Sequence, residues 1–162
     1  MKLHDLIREQ LQTARYVMSA YLQDLSEQDL QYRPVAGAHH TAWQLGHLIM
    51  SEARMMEGVK PGSGVALPEG FEAAHAKELS PGSEGQAFPK SVYERLMTEQ
   101  RAKTLALLGE LPEEGLSQPA PEWVRSYAPC VGSVFAMIAG HELMHSGQVA
   151  VIRRALGKPV VI

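Results

Sequence analysis

Apolar side chains recur about every three to four residues over four long segments of this sequence, and the stretches between them are punctuated by proline and glycine. A chain patterned this way buries its apolar faces by packing helix on helix. No comparable run has the two-residue period of a half-buried strand. In the first segment Leu3, Leu6, Ile7, Leu11, Ala14, Val17, Met18, Tyr21, Leu22 and Leu25 fall on about half of a helical circumference, which predicts an amphipathic helix from Leu3 to Leu25. Ser26 then opens SEQDL, with Asp29 placed three residues on as in a helix-start motif, and Pro34 and Gly37 end the turn.

The second helix is predicted over Thr41 to Gly58. Its apolar residues, among them Trp43, Leu45, Leu48, Ile49, Met50, Met55 and Met56, surround most of the helix and predict a central position. The third reads from Ser91 to Leu111, with Tyr93, Leu96, Met97, Leu107 and Leu108 on one side and Glu94, Arg95, Arg101 and Glu110 elsewhere; Pro112 stops it. The fourth starts near Cys130 and ends at Gly157, a C′ glycine followed by Pro159, with Arg153 and Arg154 in the last turns where positive charge is favoured. Between the second and third helices, Val59 to Lys90 is rich in Gly, Pro and Ser and reads as a lid, a binding loop or a partly disordered stretch, with a short helix around Phe71 to Leu79 to break it up. The terminal PVVI is the one candidate strand. The expected fold is all-α: a single-domain four-helix bundle over residues 1–162 with a long loop between helices two and three.

Charge narrows the partners. Fifteen Lys and Arg against 18 Asp and Glu leave a formal charge of -3, so the chain has no net attraction for nucleic acid or anionic lipid. Asp5, Arg8 and Glu9 interrupt the N-terminal apolar residues as a signal peptide does not, and no stretch is apolar enough to span a bilayer. Cys130 is the only cysteine, which excludes an intrachain disulfide and predicts a reducing, cytoplasmic home for a small half-buried thiol.

Two histidines stand in the apolar stripe of the fourth helix, His141 and His145, among Val134, Met137, Ile138, Gln148, Ile152 and Ala155. Four-residue spacing stacks two imidazoles one turn apart, so both can reach one ion. Buried without partners, each ring costs of order 1–3 kcal/mol, whereas a shared metal satisfies both. A third ligand is needed, and His47, mid-helix beside Trp43, Met50 and Arg54, is the candidate. His39 and His40 read as solvated or capping residues, His75 as a surface residue of the loop, and His4 as exposed.

His141 to His145 spells H-E-L-M-H, a literal match to a zinc-protease pattern in which Glu142 is the general base. The 17 residues after His145 contain no His, Asp or Glu to complete a protease site, and the strand scaffold of a protease is missing. Glu142 is therefore read either as a catalytic base or as a solvated residue on the helix flank.

These blocks together resemble the DinB-like superfamily, the DinB/YfiT group of metal-dependent enzymes. The resemblance covers nearly the whole chain: LSEQDLQYRP, then TAWQLGHLIMSE with its histidine, and above all HELMHSGQVAVIRRALGKP, which matches a pattern of H-x-x-x-H-x-G-Q before an arginine-bearing helix end. It implies a four-helix bundle whose open end holds one divalent metal, zinc or nickel, on His47, His141 and His145. It also implies a thiol-dependent S-transferase or related hydrolase using a low-molecular-weight thiol on a small-molecule substrate, often as a homodimer. Gln148 is then a group that orients a ligand, or else an interhelical hydrogen bond. The alternative is a non-catalytic metal-binding or stress-response protein, and a metalloprotease comes third.

Overall fold

The computed structural model describes residues 2–84, 87–159 and 161–162. Among them are four long helices, α1 (Leu3–Leu22), α2 (Thr41–Val59), α4 (Lys90–Glu110) and α6 (Val131–Ala155), and two single turns, α3 (Phe71–Ala74) and α5 (Glu113–Leu116). Helix α1 packs on α6 and α4, and α2 packs on α4 and α6. Among the described residues there is no strand. A single bridge joins Pro119 to Cys130; Pro159, Val161 and Ile162 of the expected terminal strand are in none, and Val160 lies outside the described residues. No described helix is long and apolar enough to cross a membrane.

Local signals account for the element ends. The His40 ring at the N-cap of α2 accepts the Trp43 backbone N–H through Nδ1 at 3.0 Å, so this histidine is a buried cap. Ser26 and Asp29 satisfy each other's backbone N–H groups, at 2.8 and 3.1 Å, and open a 3₁₀ turn over Asp29–Gln31. Helix α1 stops at Leu22, three residues before the predicted Leu25, which is buried beyond the helix end. At the end of α6, Gly157 adopts φ +71 and its N–H reaches the Arg154 carbonyl, the left-handed stop that a Cβ disfavours.

The interior is two apolar clusters. One gathers Leu11 and Ala14, Met55 and Met56, Leu107 and Leu108, and Phe135 and Ile138. The other gathers Met18, Leu22, Leu45, Ile49, Leu96, Met97 and Val149. The early residues of α1 and α6 lie in the first cluster and those of α2 and α4 in the second, so α1 and α6 run opposite to α2 and α4.

Between the clusters in sequence lies one charged residue from each long helix: Arg15, Glu52, Arg101 and Glu142. Arg15 Nε donates to Glu142 at 2.7 Å, and Arg101 donates to Glu142 at 2.8 Å and to both oxygens of Glu52 at 2.9 and 3.0 Å. Thr104 adds its hydroxyl to Glu52 at 2.7 Å, and Arg101 also reaches the Leu11 carbonyl. Arg101, read from sequence as a residue outside the apolar face, is thus buried at 4% exposure and ties all four long helices together.

The segment after α2 is docked rather than loose. Its helix is the short Phe71–Ala74, not the longer run to Leu79, and Phe71 is fully buried. His75, expected at the surface, is 2% exposed: Nδ1–H donates to the Phe71 carbonyl at 2.7 Å and Nε2 accepts from the Tyr93 hydroxyl at 2.9 Å. A Cβ built on Gly46 would sit 2.1 Å from this ring, so the absent side chain of α2 makes the seat for the loop. Farther along, Glu84 accepts from both Arg33 amino groups, the Gly82 N–H and the His39 ring, which pins the segment to the 33–39 turn; Gly85 and Gln86 lie outside the described residues. His4 is half-buried, its ring bonded to the Leu111 carbonyl at 2.9 Å.

Candidate metal centre

His47 of α2 and His141 and His145 of α6 converge, with one ring nitrogen from each lying within 4.8 Å of the others. The Nε2 atoms of His141 and His145 face each other at 3.2 Å, and the His47 ring meets those of His141 and His145 at centroid distances of 5.1 and 5.5 Å. Three imidazoles from two helices are a donor set suited to a divalent transition metal with open positions left over.

Two neighbours orient the rings. Trp43, one turn before His47, stacks on it with planes 4° apart, and His39 in turn stacks on Trp43 at 3.6 Å. Gln44 Nε2 donates to the His39 carbonyl at 3.1 Å, which leaves Gln44 Oε1 to accept from His145 Nδ1–H, also at 3.1 Å. That bond puts the proton of His145 on Nδ1 and leaves Nε2 with a lone pair directed at the other two rings.

The rings are neutral donors at neutral pH. Burial, then the neighbouring His141 and Lys77, push His47 down to about 4; burial, then His141 and His47, push His145 down to about 3. His141 is lowered as well, mainly by burial, with Glu142 opposing. A metal needs deprotonated imidazole, so the site favours the form that binds.

The other sequence candidates fall elsewhere. Glu142 is not on a solvated flank: it is 2% exposed, and each of its two oxygens accepts from a guanidinium, Arg15 on one and Arg101 on the other. At about 100° per residue, the buried face of α6 centres on Glu142, with His145 to one side and His141 at its edge. Gln148 is exposed, two turns beyond His141 on that edge, and the amide that holds His145 is Gln44 instead. Cys130 caps α6 half-buried, its thiol 3.0 Å from the Ser133 hydroxyl. Gln44 had a sequence signal: a lone amide in a helix that is apolar nearly all round must find a partner inside.

Two cavities flank the histidines. A cavity of about 10 Å³ lies beneath His141, between Arg15, Glu52 and Glu142, and is sized for about one water. A cleft of about 1180 Å³ runs along α2 from His47, walled by the docked 62–78 segment.

The sequence pattern of the DinB superfamily matches residues 10–149, and the chain belongs to that superfamily. No curated protein matches it. A crystal structure titled as the conserved protein of locus from Enterococcus faecalis has the same fold, with a TM-score of 0.73 at 19% identity over 98% of this chain and 99% of that one.

Proposed function

We propose that this chain is a metal-dependent enzyme built on a four-helix bundle, with His47, His141 and His145 holding one divalent ion, zinc or nickel. The observation that carries the reading is the convergence of three neutral ring nitrogens within 4.8 Å at one end of a large cleft. A bound ion would supply a Lewis acid to a small-molecule substrate or a low-molecular-weight thiol, the chemistry of an S-transferase or hydrolase. Gln44 holds the His145 lone pair in place and Trp43 holds the His47 ring, while Gln148 is exposed about 10 Å along α6 from His141. Glu142 is a positioning residue: its two guanidinium partners anchor the middle of α6, and the same saturation argues against a peptidase base.

A purely structural ion is the competing reading. The charged layer already links the four helices, which favours catalysis, because the fold has its own cross-braces. Elemental analysis of gently purified protein should find about one ion per chain, lost on replacing any one of the three histidines with Ala. Circular dichroism melting of the three variants and of chelated wild type should show helicity retained. Collapse in all four samples would promote the structural ion, and metal-free wild type from metal-replete preparation would remove the reading altogether.

A further inference from the structure

We infer that Glu84, near the far end of the long segment between α2 and α4, is a positioning residue for the three-histidine centre, acting through His39 on His47 and His145. The inference rests on the metal-site reading and adds to it a means of regulation, because docking of the segment and metal affinity become coupled. His39 has three attachments. Its Nδ1–H donates to Glu84 at 2.6 Å, its ring lies on Trp43 with planes 12° apart, and its carbonyl accepts from Gln44 Nε2 at 3.1 Å. The last two lead to the histidines: Trp43 stacks on His47, and Gln44 Oε1 accepts the His145 Nδ1–H. Neither branch ends on His141.

Each branch transmits the placement of His39 in a different way. An amide presents oxygen on one side and NH₂ on the other, and the His39 carbonyl, which can only accept, draws the Gln44 NH₂ to itself. Moving that carbonyl lets the amide turn over. An NH₂ facing His145 Nδ1 then favours the tautomer with its proton on Nε2, the nitrogen that an ion needs free. The Trp43 branch is a column of flat rings, His39 on Trp43 and Trp43 on His47, so a ring freed at one end loosens the next.

What fixes His39 is the Glu84 carboxylate. The Glu84 side chain is 1% exposed against 20% for that of His39, and besides the imidazole it accepts from Arg33 at 2.6 and 2.9 Å and from the Gly82 N–H at 2.6 Å. Charge-assisted bonds from three residues hold the acid in one place. The imidazole bonded to it is held with it, although this ring lies at the protein surface.

The test uses the full chain and Zn²⁺, with affinity read by chelator competition and the His145 Nδ1–H followed as an imidazole resonance in ¹⁵N-labelled protein. Glu84→Ala should weaken Zn²⁺ binding about 3- to 10-fold, less than loss of a direct partner of a ligand, and should broaden or remove the His145 resonance. Glu84→Gln, which still accepts from His39, should keep most of both. Lys90→Met separates positioning from general loosening: the Lys90 ammonium ties the end of the same segment to the Leu22 and Leu25 carbonyls at 2.7 and 2.9 Å, so this variant should melt lower with Zn²⁺ affinity unchanged. Coupling is reciprocal, so in wild type Zn²⁺ should slow hydrogen exchange at the Gly82 amide that Glu84 accepts. Wild-type affinity together with an intact His145 resonance in Glu84→Ala would overturn the inference while leaving the metal reading standing. An equal loss of affinity in Lys90→Met would overturn it as well. Wild type that takes up no Zn²⁺ would sink the metal reading, and this inference with it, before any variant is compared.

Discussion

The Gln44 side chain accepts a hydrogen bond from His145 Nδ1 at 3.1 Å while donating to the His39 carbonyl, so one amide both reads the backbone of the turn before α2 and sets the tautomer of a ring on α6. Replacing Gln44 with Leu should leave the helices intact and weaken metal binding about 10- to 100-fold, because the ring loses the partner that orients it. Gln44→Glu, which keeps an acceptor, should retain most of the affinity. Competition against a chelator measures both, and equal affinity in wild type and Gln44→Leu would dismiss the orienting role.

Arg101 touches two carboxylates and a backbone carbonyl at 4% exposure. Arg101→Met strands Glu52 and Glu142 with fewer donors inside the protein, so it should cost roughly 3–5 kcal/mol. Urea unfolding of Arg101→Met, Glu142→Leu and the double variant should show a double variant less destabilised than the sum of the two singles. Simple additivity would mean that the layer is not coupled.

Gly46 makes room for the His75 ring, whose Cδ2 would lie 2.1 Å from an added Cβ. Gly46→Ala should therefore destabilise the chain by about 1–3 kcal/mol through overpacking, despite the higher helix propensity of Ala. Adding His75→Ala to it should recover part of that loss. Thermal melting decides, and a stabilised Gly46→Ala would show that the segment shifts at no cost.

Glu84 is held down to about 2: burial opposes its ionisation, but donors from Arg33, its own backbone, His39 and Gly82 outweigh burial. Its folded pKa lies below the ordinary 4.5, so its contribution to stability is complete above pH 4.5 and is lost as pH falls from there towards 2. Glu84→Gln should melt lower than wild type at pH 7, and the gap should close on acidification across that window. A gap constant with pH would remove the carboxylate charge as the cause.

The helices, their order and most of their ends were legible because they rest on local physics: a 3.6-residue apolar period, the reciprocal Ser26–Asp29 caps, and the left-handed Gly157. The histidine pair was legible for the same reason, since a four-residue spacing on one helix puts His141 above His145 wherever that helix packs. His47 required a second helix, and only its residue type and apolar surroundings pointed to it.

The rotation of α6 was not legible. Counting apolar residues alone put His141 and His145 at the centre of the buried face, whereas the protein centres that face on Glu142 and leaves His141 half exposed at the edge of a cleft. A carboxylate is buried here because guanidiniums from α1 and α4, 127 and 41 residues away in sequence, meet it. His75 and Gly46 tell the same story, a polar ring buried because a distant helix lacks a side chain where the ring rests. By itself the sequence determined which segments coil and which ring nitrogens are available to an ion. Tertiary structure decided which charges could leave water, because the free energy of a buried charge depends on the donors brought within about 3 Å of it, and that distance exists only after the helices have packed.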